Sequence, residues 1–305
     1  MNRKVLITGC NGFIGSHLVK FYSSKGYEVY GIDRNMNNVN IPNCKFVKCN
    51  LQNDDISKIY KEISPDVFIH CAGNASVGMS VEYPEMDFES NVGVLYKTLS
   101  SLVRANINPR FIFLSTAAVY GNPKELPISE KTVTAPISPY GLHKKMCEDL
   151  CQYYRVVKGQ DVSVVRIFSA YGEGLKKQIL WDMYSKYKEN GYIELFGTGN
   201  ETRDFIYIKD LVQAIDIIVK DNKSNFIYNI ANGEETSIKT LALQYAKILN
   251  IDSNKITFNG EVKKGDPLNW RADITKLQKI GYKQSIDLYE GLKNYIEWVK
   301  QLDRK

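Results

Sequence analysis

The chain has 305 residues, 44% of them hydrophobic and 24% charged, with a formal net charge of +6. That is an ordinary globular composition, long enough for one large core or two modest ones, and no apolar run approaches the ~20 residues of a membrane span. The positive charge is diffuse and no basic run is interleaved with aromatics, so nucleic acid and membrane are excluded as expected partners and an anionic small molecule is favoured.

In chain order, KVLIT (4–8) reads as a short buried strand ending at Gly9. Residues 13–25 then show helical spacing, with Phe13, Leu18, Val19 and Tyr22 on one side and Gly26 as the stop. Strands follow at EVYGID (28–33), KFVKC (45–49) and DVFIHCA (66–72), with a helix in DDISKIYKEI between the last two. A long helix through ESNVGVLYKTLSSLVRA precedes the strand RFIFLS (110–115). A helix from Tyr140 to about Lys158 leads to the strand DVSVVRIF (161–168). Continuous apolar strands alternating with amphipathic helices predict a doubly wound parallel α/β sheet covered on both faces, a Rossmann architecture. Beyond Phe168 the rhythm changes to a helix in QILWDMYSKYKEN, strand and turn in YIELFGTGN, a strand-to-helix unit in RDFIYIKDLVQAIDIIVK, a strand NFIYNIA (225–231) and a last helix near 288–299. The expected division is a dinucleotide-binding domain of residues 1–168 plus 201–232, and a smaller lobe of 169–200 plus 233–305.

The opening MNRKVLITGC enters a strand directly and carries no secretory signature, which predicts a cytoplasmic protein. Cys10, Cys44, Cys49, Cys71, Cys147 and Cys151 form no CxxC pair and only three histidines accompany them. Reduced, mostly buried thiols are expected, with neither a disulfide frame nor a metal site.

TGCNGFIG places Gly9, Gly12 and Gly15 between a strand and a helix. The first glycine permits a tight turn, the second admits a pyrophosphate, and the third lets the helix pack on the strand. Asp33, closing the second strand, suits the hydroxyls of an adenosine ribose and favours NAD; Arg34 beside it could instead meet the 2′-phosphate of NADP. SPYGLHKK places Tyr140 and Lys144 four residues apart, on one helix face. An ammonium beside a phenol stabilises the phenolate and lowers a pKa that is ordinarily ~10. Thr116 or Ser115, at the carboxyl end of a parallel strand, could hydrogen-bond the reacting oxygen. Each feature alone is common; together, in this order, they point to proton exchange at a sugar hydroxyl beside a nicotinamide.

TGCNGFIG, HCAGNASVG, STAAVYG, SPYGLHK, RIFSAYG and TRDFIYIKDL together resemble the extended short-chain dehydrogenase/reductase family, in particular its nucleotide-sugar branch of 4-epimerases, 4,6-dehydratases and 4-keto-sugar reductases. The likeness covers almost the whole chain. It implies that Gly9, Gly12, Phe13, Ile14 and Gly15 cradle the pyrophosphate, that Asp33 holds the ribose, and that Asn50 and Leu51 contact adenine. Ala72, Gly73, Asn91 and Phe168 would complete the cofactor site. Tyr140 and Lys144 would be catalytic, with Thr116 at the Ser/Thr position. Asn74, Ser76, Ser169, Arg203 and Lys263 would face the nucleotide sugar. Ala117 and Ala118 follow Thr116 where 4,6-dehydratases carry Asp and Glu, so dehydration is not expected. Asn74, Ala75 and Ser169 depart from typical UDP-galactose 4-epimerases.

The leading expectation is therefore NAD(P)-dependent reduction of a nucleotide-linked 4-keto-6-deoxyhexose, such as dTDP-4-keto-6-deoxyglucose, for surface polysaccharide or lipopolysaccharide. The alternative is a UDP-hexose 4-epimerase with tightly bound NAD. A net C4 dehydrogenase is a further variant, and a non-catalytic nucleotide-sensing regulator on the same fold is the reading from a different class. The resemblance also implies a homodimer through the helices near Glu85–Ala105 and Tyr140–Lys158.

Overall fold

The structure is a computed structural model that describes residues 3–35, 41–221, 225–261, 265 and 267–304. Its strands are β1 (Lys4–Thr8), β2 (Glu28–Asp33), β3 (Cys44–Lys48), β4 (Val67–His70), β5 (Arg110–Thr116), β6 (Val162–Ile167), β7 (Ser169–Tyr171), β8 (Ile193–Leu195), β9 (Thr202–Arg203), β10 (Phe205–Tyr207), β11 (Ile227–Ile230), β12 (Thr236–Ser237) and β13 (Ile256–Phe258). Its helices are α1 (Phe13–Ser24), α2 (Ile56–Ile63), α3 (Val77–Glu82), α4 (Pro84–Phe88), α5 (Val94–Arg104), α6 (Pro139–Lys158), α7 (Gln178–Asn190), α8 (Ile208–Lys220), α9 (Ile238–Leu249), α10 (Thr275–Lys279) and α11 (Leu288–Leu302). A π-helical turn, Glu89–Gly93, joins α4 to α5, and a 3-10 turn, Ala117–Tyr120, follows β5.

Seven strands form one parallel sheet in the order β11-β6-β5-β4-β1-β2-β3. The central strands are apolar at most positions, and β4 and β6 are buried at every residue. A parallel sheet covered on both faces requires this continuous pattern rather than alternation. Two hydrophobic clusters separate across it: one contains Val5, Ile7, Val19 and Tyr22, the other Leu6, Phe68, Leu95 and Phe111. The order reverses between β1 and β4, which opens a crevice beyond their carboxyl ends. The doubly wound α/β fold expected from the sequence is the one observed. β11 returns to the large sheet, whereas β10 pairs with β7, β12 with β9 and β13 with β8.

The helix read through residues 89–105 begins with the π turn, and α3, α4, α9, α10 and the short strands β7, β12 and β13 have no counterpart among the expected elements. All six cysteines are free thiols, with Cys10, Cys49, Cys147 and Cys151 buried. Among the described residues no helix is long and apolar enough to cross a membrane.

Candidate active site at the carboxyl ends of the sheet

The glycine loop connects β1 to α1. Gly9 has φ +66°, and a Cβ there would lie 2.9 Å from the Ala72 nitrogen. A Cβ on Gly15 would lie 2.1 Å from the Gly9 carbonyl oxygen, and one on Gly12 would lie 3.1 Å from it. Gly12 caps α1 without any side-chain acceptor. The first-turn amides, those of Phe13, Ile14 and Gly15, are therefore left for an anion at the positive end of the helix. Asp33 closes the opposite side. Its Oδ2 accepts from the Asn11 backbone N–H at 3.1 Å and its Oδ1 from the Asn35 N–H at 3.1 Å. A fixed carboxylate here accepts from ribose hydroxyls and repels a 2′-phosphate, so the pocket fits NAD; Arg34 is exposed beside it. Leu51 is buried, while the Asn50 side-chain oxygen accepts from the Gln52 N–H.

Beneath the cradle, Thr8 Oγ1 meets His70 Nδ1 at 2.9 Å. Burial holds the His70 imidazole neutral by pushing its pKa down to about 3. Gly73, at φ +140°, leaves no room for a side chain, because a Cβ would lie 2.6 Å from Asn91 Oδ1. Asn91 sits in the π turn with its Nδ2 donating to the Asp87 carbonyl, which braces the loop carrying Ala72 and Gly73. Single π turns recur at functional sites.

The start of α6 is strongly determined. Ser138 caps it by accepting from the Gly141 N–H, Pro139 supplies the first helical φ, and the Tyr140 N–H donates to Ser80 Oγ at 3.0 Å. Tyr140 is only partly covered, yet its phenol, beside Thr116, is pushed well above the usual range. Burial is the main cause, Asp87 adds to it, and the Thr116 contact opposes it. Lys144 is buried, donates from Nζ to the Leu114 carbonyl at 3.0 Å, and lies 4.9 Å from the Phe113 ring centre and 6.0 Å from that of Tyr140. Desolvation lowers its pKa. The expectation that Lys144 would lower the phenol is corrected here, because in the protein alone desolvation of the phenol outweighs every favourable contact.

Thr116 ends β5, and its Oγ1 accepts from the Ala118 N–H while meeting the phenol. Ser115 donates instead to Glu148 Oε1 at 2.6 Å, within a buried network where Arg166 pairs with Glu148 and donates to the Tyr120 hydroxyl. Of the two candidate hydroxyls, only Thr116 faces Tyr140.

The remaining candidates are dispersed. Phe168 packs edge-on against Trp270 at 5.8 Å, and Ser169 opens β7. Arg203 donates to the Thr202 and Leu268 carbonyls and lies over Trp270. Ser76 caps α3, and Asn74 Nδ2 donates to Asp87 Oδ1 at 2.7 Å. Lys263 lies outside the described residues. Sequence reading missed Ser80, Asp87 and His143, whose Nδ1 lies 2.6 Å from Asp87 Oδ2. None belongs to a short motif; the nearest signal was a histidine directly before Lys144.

A dinucleotide cradle and a Thr–Tyr–Lys cluster meeting at the switch point define a nucleotide-dependent enzyme site. The chain belongs to the NAD dependent epimerase/dehydratase family, whose pattern it matches over residues 5–231. It is 32% identical over 313 residues to a Methanocaldococcus jannaschii protein described provisionally as a UDP-glucose 4-epimerase, covering 98% of this chain and 99% of that one. The UDP-glucose 4-epimerase of Thermotoga maritima, solved with UDP-glucose, superposes with a TM-score of 0.90 at 27% identity, covering 98% and 99% of the two chains. A UDP-glucuronic acid 4-epimerase from Bacillus cereus, solved with UDP-glucuronic acid and NAD, gives 0.89 at 28% identity over 98% and 99%. The protein is thus an NAD-dependent enzyme of the nucleotide-sugar epimerase branch.

Proposed function

We propose that the protein is a UDP-hexose 4-epimerase that retains its NAD through each cycle and provides hexoses for polysaccharide assembly. Sequence reading alone placed 4-keto reduction first. The relatives' 4-epimerase activities favour the alternative reading instead. The observation that carries the proposal is that Thr116 and Tyr140 are brought together beside buried Lys144, at the end of the dinucleotide cradle. The same cluster argues against a nucleotide-sensing regulator, which has no need of it.

When bound, NAD supplies a reversible two-electron acceptor next to C4 of the sugar. Tyr140 takes the proton of the C4 hydroxyl and returns it after the keto sugar has turned its other face. Thr116 orients that oxygen. Lys144, whose ammonium lies 6.0 Å from the Tyr140 ring centre, holds the nicotinamide ribose. Such proton transfer contributes ~100- to 10,000-fold. Ala117 and Ala118 carry no proton-transferring group, so loss of water is not supported. The lobe of 169–200 plus 233–305 would hold the nucleotide together with Arg203, toward the diphosphate, and Ser76 and Ser169 would lie toward the sugar. The exposed apolar residues Leu142, Met146, Tyr153 and Val157 on α6, with Tyr96 on α5, suit a homodimer face.

The test is to denature fresh protein, quantify the released dinucleotide, and assay UDP-glucose and UDP-glucuronate for C4 inversion. Near-stoichiometric NAD with inversion, lost in Tyr140→Phe, is expected. An empty protein that oxidises NADH or NADPH with a nucleotide-linked 4-keto-6-deoxyhexose would reinstate reduction.

A further inference from the structure

Asp87 is buried, yet it carries out none of the chemistry assigned above. Its Oδ2 accepts from His143 Nδ1 at 2.6 Å, and its Oδ1 accepts from Asn74 Nδ2 at 2.7 Å and from Asn91 Nδ2 at 3.2 Å. The carboxylate thus joins three segments: the catalytic helix α6 through the residue before Lys144, the π turn, and the loop after β4.

A carboxylate has acceptors only. Asn74 must therefore present its NH₂ to Asp87, which leaves its carbonyl oxygen as the outward atom. Asn74 is partly exposed and follows β4 at the carboxyl end of the sheet, where the strand order reverses. Ligands of doubly wound sheets lie in that crevice. The loop also packs closely at Gly73, where a Cβ would lie 2.6 Å from Asn91 Oδ1. A lone, fixed acceptor at this edge matches a donor on the ligand.

We propose that Asp87 is a positioning residue that fixes the Asn74 amide so that its oxygen accepts a hydrogen bond from a hydroxyl of the bound hexose. The inference rests on the nucleotide-sugar reading given above. It makes Asn74 a sugar-reading residue only by virtue of the carboxylate behind it. The same carboxylate ties the sugar-side loop to the helix carrying Tyr140, so both ends of the reacting sugar are referred to one buried group.

The test is calorimetric titration of NAD-loaded protein in a Tyr140→Phe background, with UDP-glucose and with UDP. Asn74→Ala and Asp87→Asn should each weaken UDP-glucose about three- to tenfold, the worth of one hydrogen bond, and leave UDP unchanged. The double variant should lose no more than either single one, because Asp87 acts through Asn74. Losses that multiply, or that fall equally on UDP, overturn the proposal. Should Asp87→Asn fail to fold, Asn74→Asp carries the test. Two carboxyl groups this close share one proton, so that variant should bind UDP-glucose like the parent at low pH and lose affinity toward pH 8. The other titratable groups of this region, Lys144, His143 and Cys147 on α6 and Glu85 and Glu89 beside His143, are common to both proteins, so the parent's own pH dependence is the control. A variant that follows the parent across the range overturns the proposal. Binding of neither UDP nor UDP-glucose would instead remove the nucleotide-sugar reading, and this inference with it.

Discussion

Ser115 and Thr116 are neighbours whose hydroxyls face opposite sides of the sheet: Ser115 donates to buried Glu148 at 2.6 Å, and Thr116 meets the Tyr140 phenol. The alternation of side chains along a strand enforces this division. Thr116→Ala should reduce kcat roughly 100-fold, as for loss of a donor at a reacting oxygen, with little change in melting temperature. Ser115→Ala should do the reverse. It removes a hydrogen bond to a charged group, worth about 1.5–3 kcal/mol, and leaves the active cluster in place. Steady-state kinetics and denaturation of both variants check the pair.

Gly12 and Gly15 should fail differently when changed to alanine. The Gly15 Cβ would lie 2.1 Å from the Gly9 carbonyl oxygen, a contact that forces α1 away from β1. A loss of about 1–3 kcal/mol or more is expected, as for overpacking. The Gly12 Cβ would lie 3.1 Å from the same oxygen, which a small shift relieves. Gly12→Ala should therefore fold but release its dinucleotide. Melting temperature and dinucleotide content distinguish the two.

Asp204 gives the stability a pH dependence. It is fully buried, and burial pushes its pKa from 3.8 up to about 7 against three backbone N–H donors, from Asn232, Gly233 and Ala272. An acid whose folded pKa is raised binds more protons in the folded than in the unfolded state. Its contribution is therefore full below about pH 4 and is lost as pH rises through about 7. Urea denaturation should show the stability difference between the wild type and Asp204→Asn narrowing from pH 4 to pH 7. A difference that widens would contradict this assignment.

Leu142, Met146, Tyr153 and Val157 are exposed on α6 at intervals of one, two and one turns, along one side of the helix. Sedimentation should find a dimer, and Met146→Glu with Val157→Glu should find a monomer that still melts cooperatively. A monomeric wild type would refute the dimer.

The glycine loop, Tyr140, Lys144 and Thr116 were legible in the sequence because each belongs to a short motif beside a strand or helix end. The parallel sheet was legible because its strands are apolar at consecutive positions. Ser80, Asp87 and His143 were not, since nothing in their spacing reveals that they converge. α9 carried a readable signal, a Ser237 cap followed by Ile238, Leu241, Ala242 and Tyr245 on one face, but it lay in a region with no motif to anchor it. The direction of the Tyr140 shift was misjudged because burial is a tertiary quantity that no local pattern reports.

The π turn at Glu89–Gly93 works as a change of gear. One extra residue in a turn rotates everything beyond it by about 100°. Before the turn, the rod directs Asp87 toward α6 and the loop after β4; beyond it, Leu95, Leu99 and Leu102 face the sheet. A regular helix of the same length could satisfy only one of these bearings. Deleting any single residue from the turn would leave a smoother rod with one of its two faces aimed at the wrong neighbour, so this stretch should tolerate substitutions far better than changes of length.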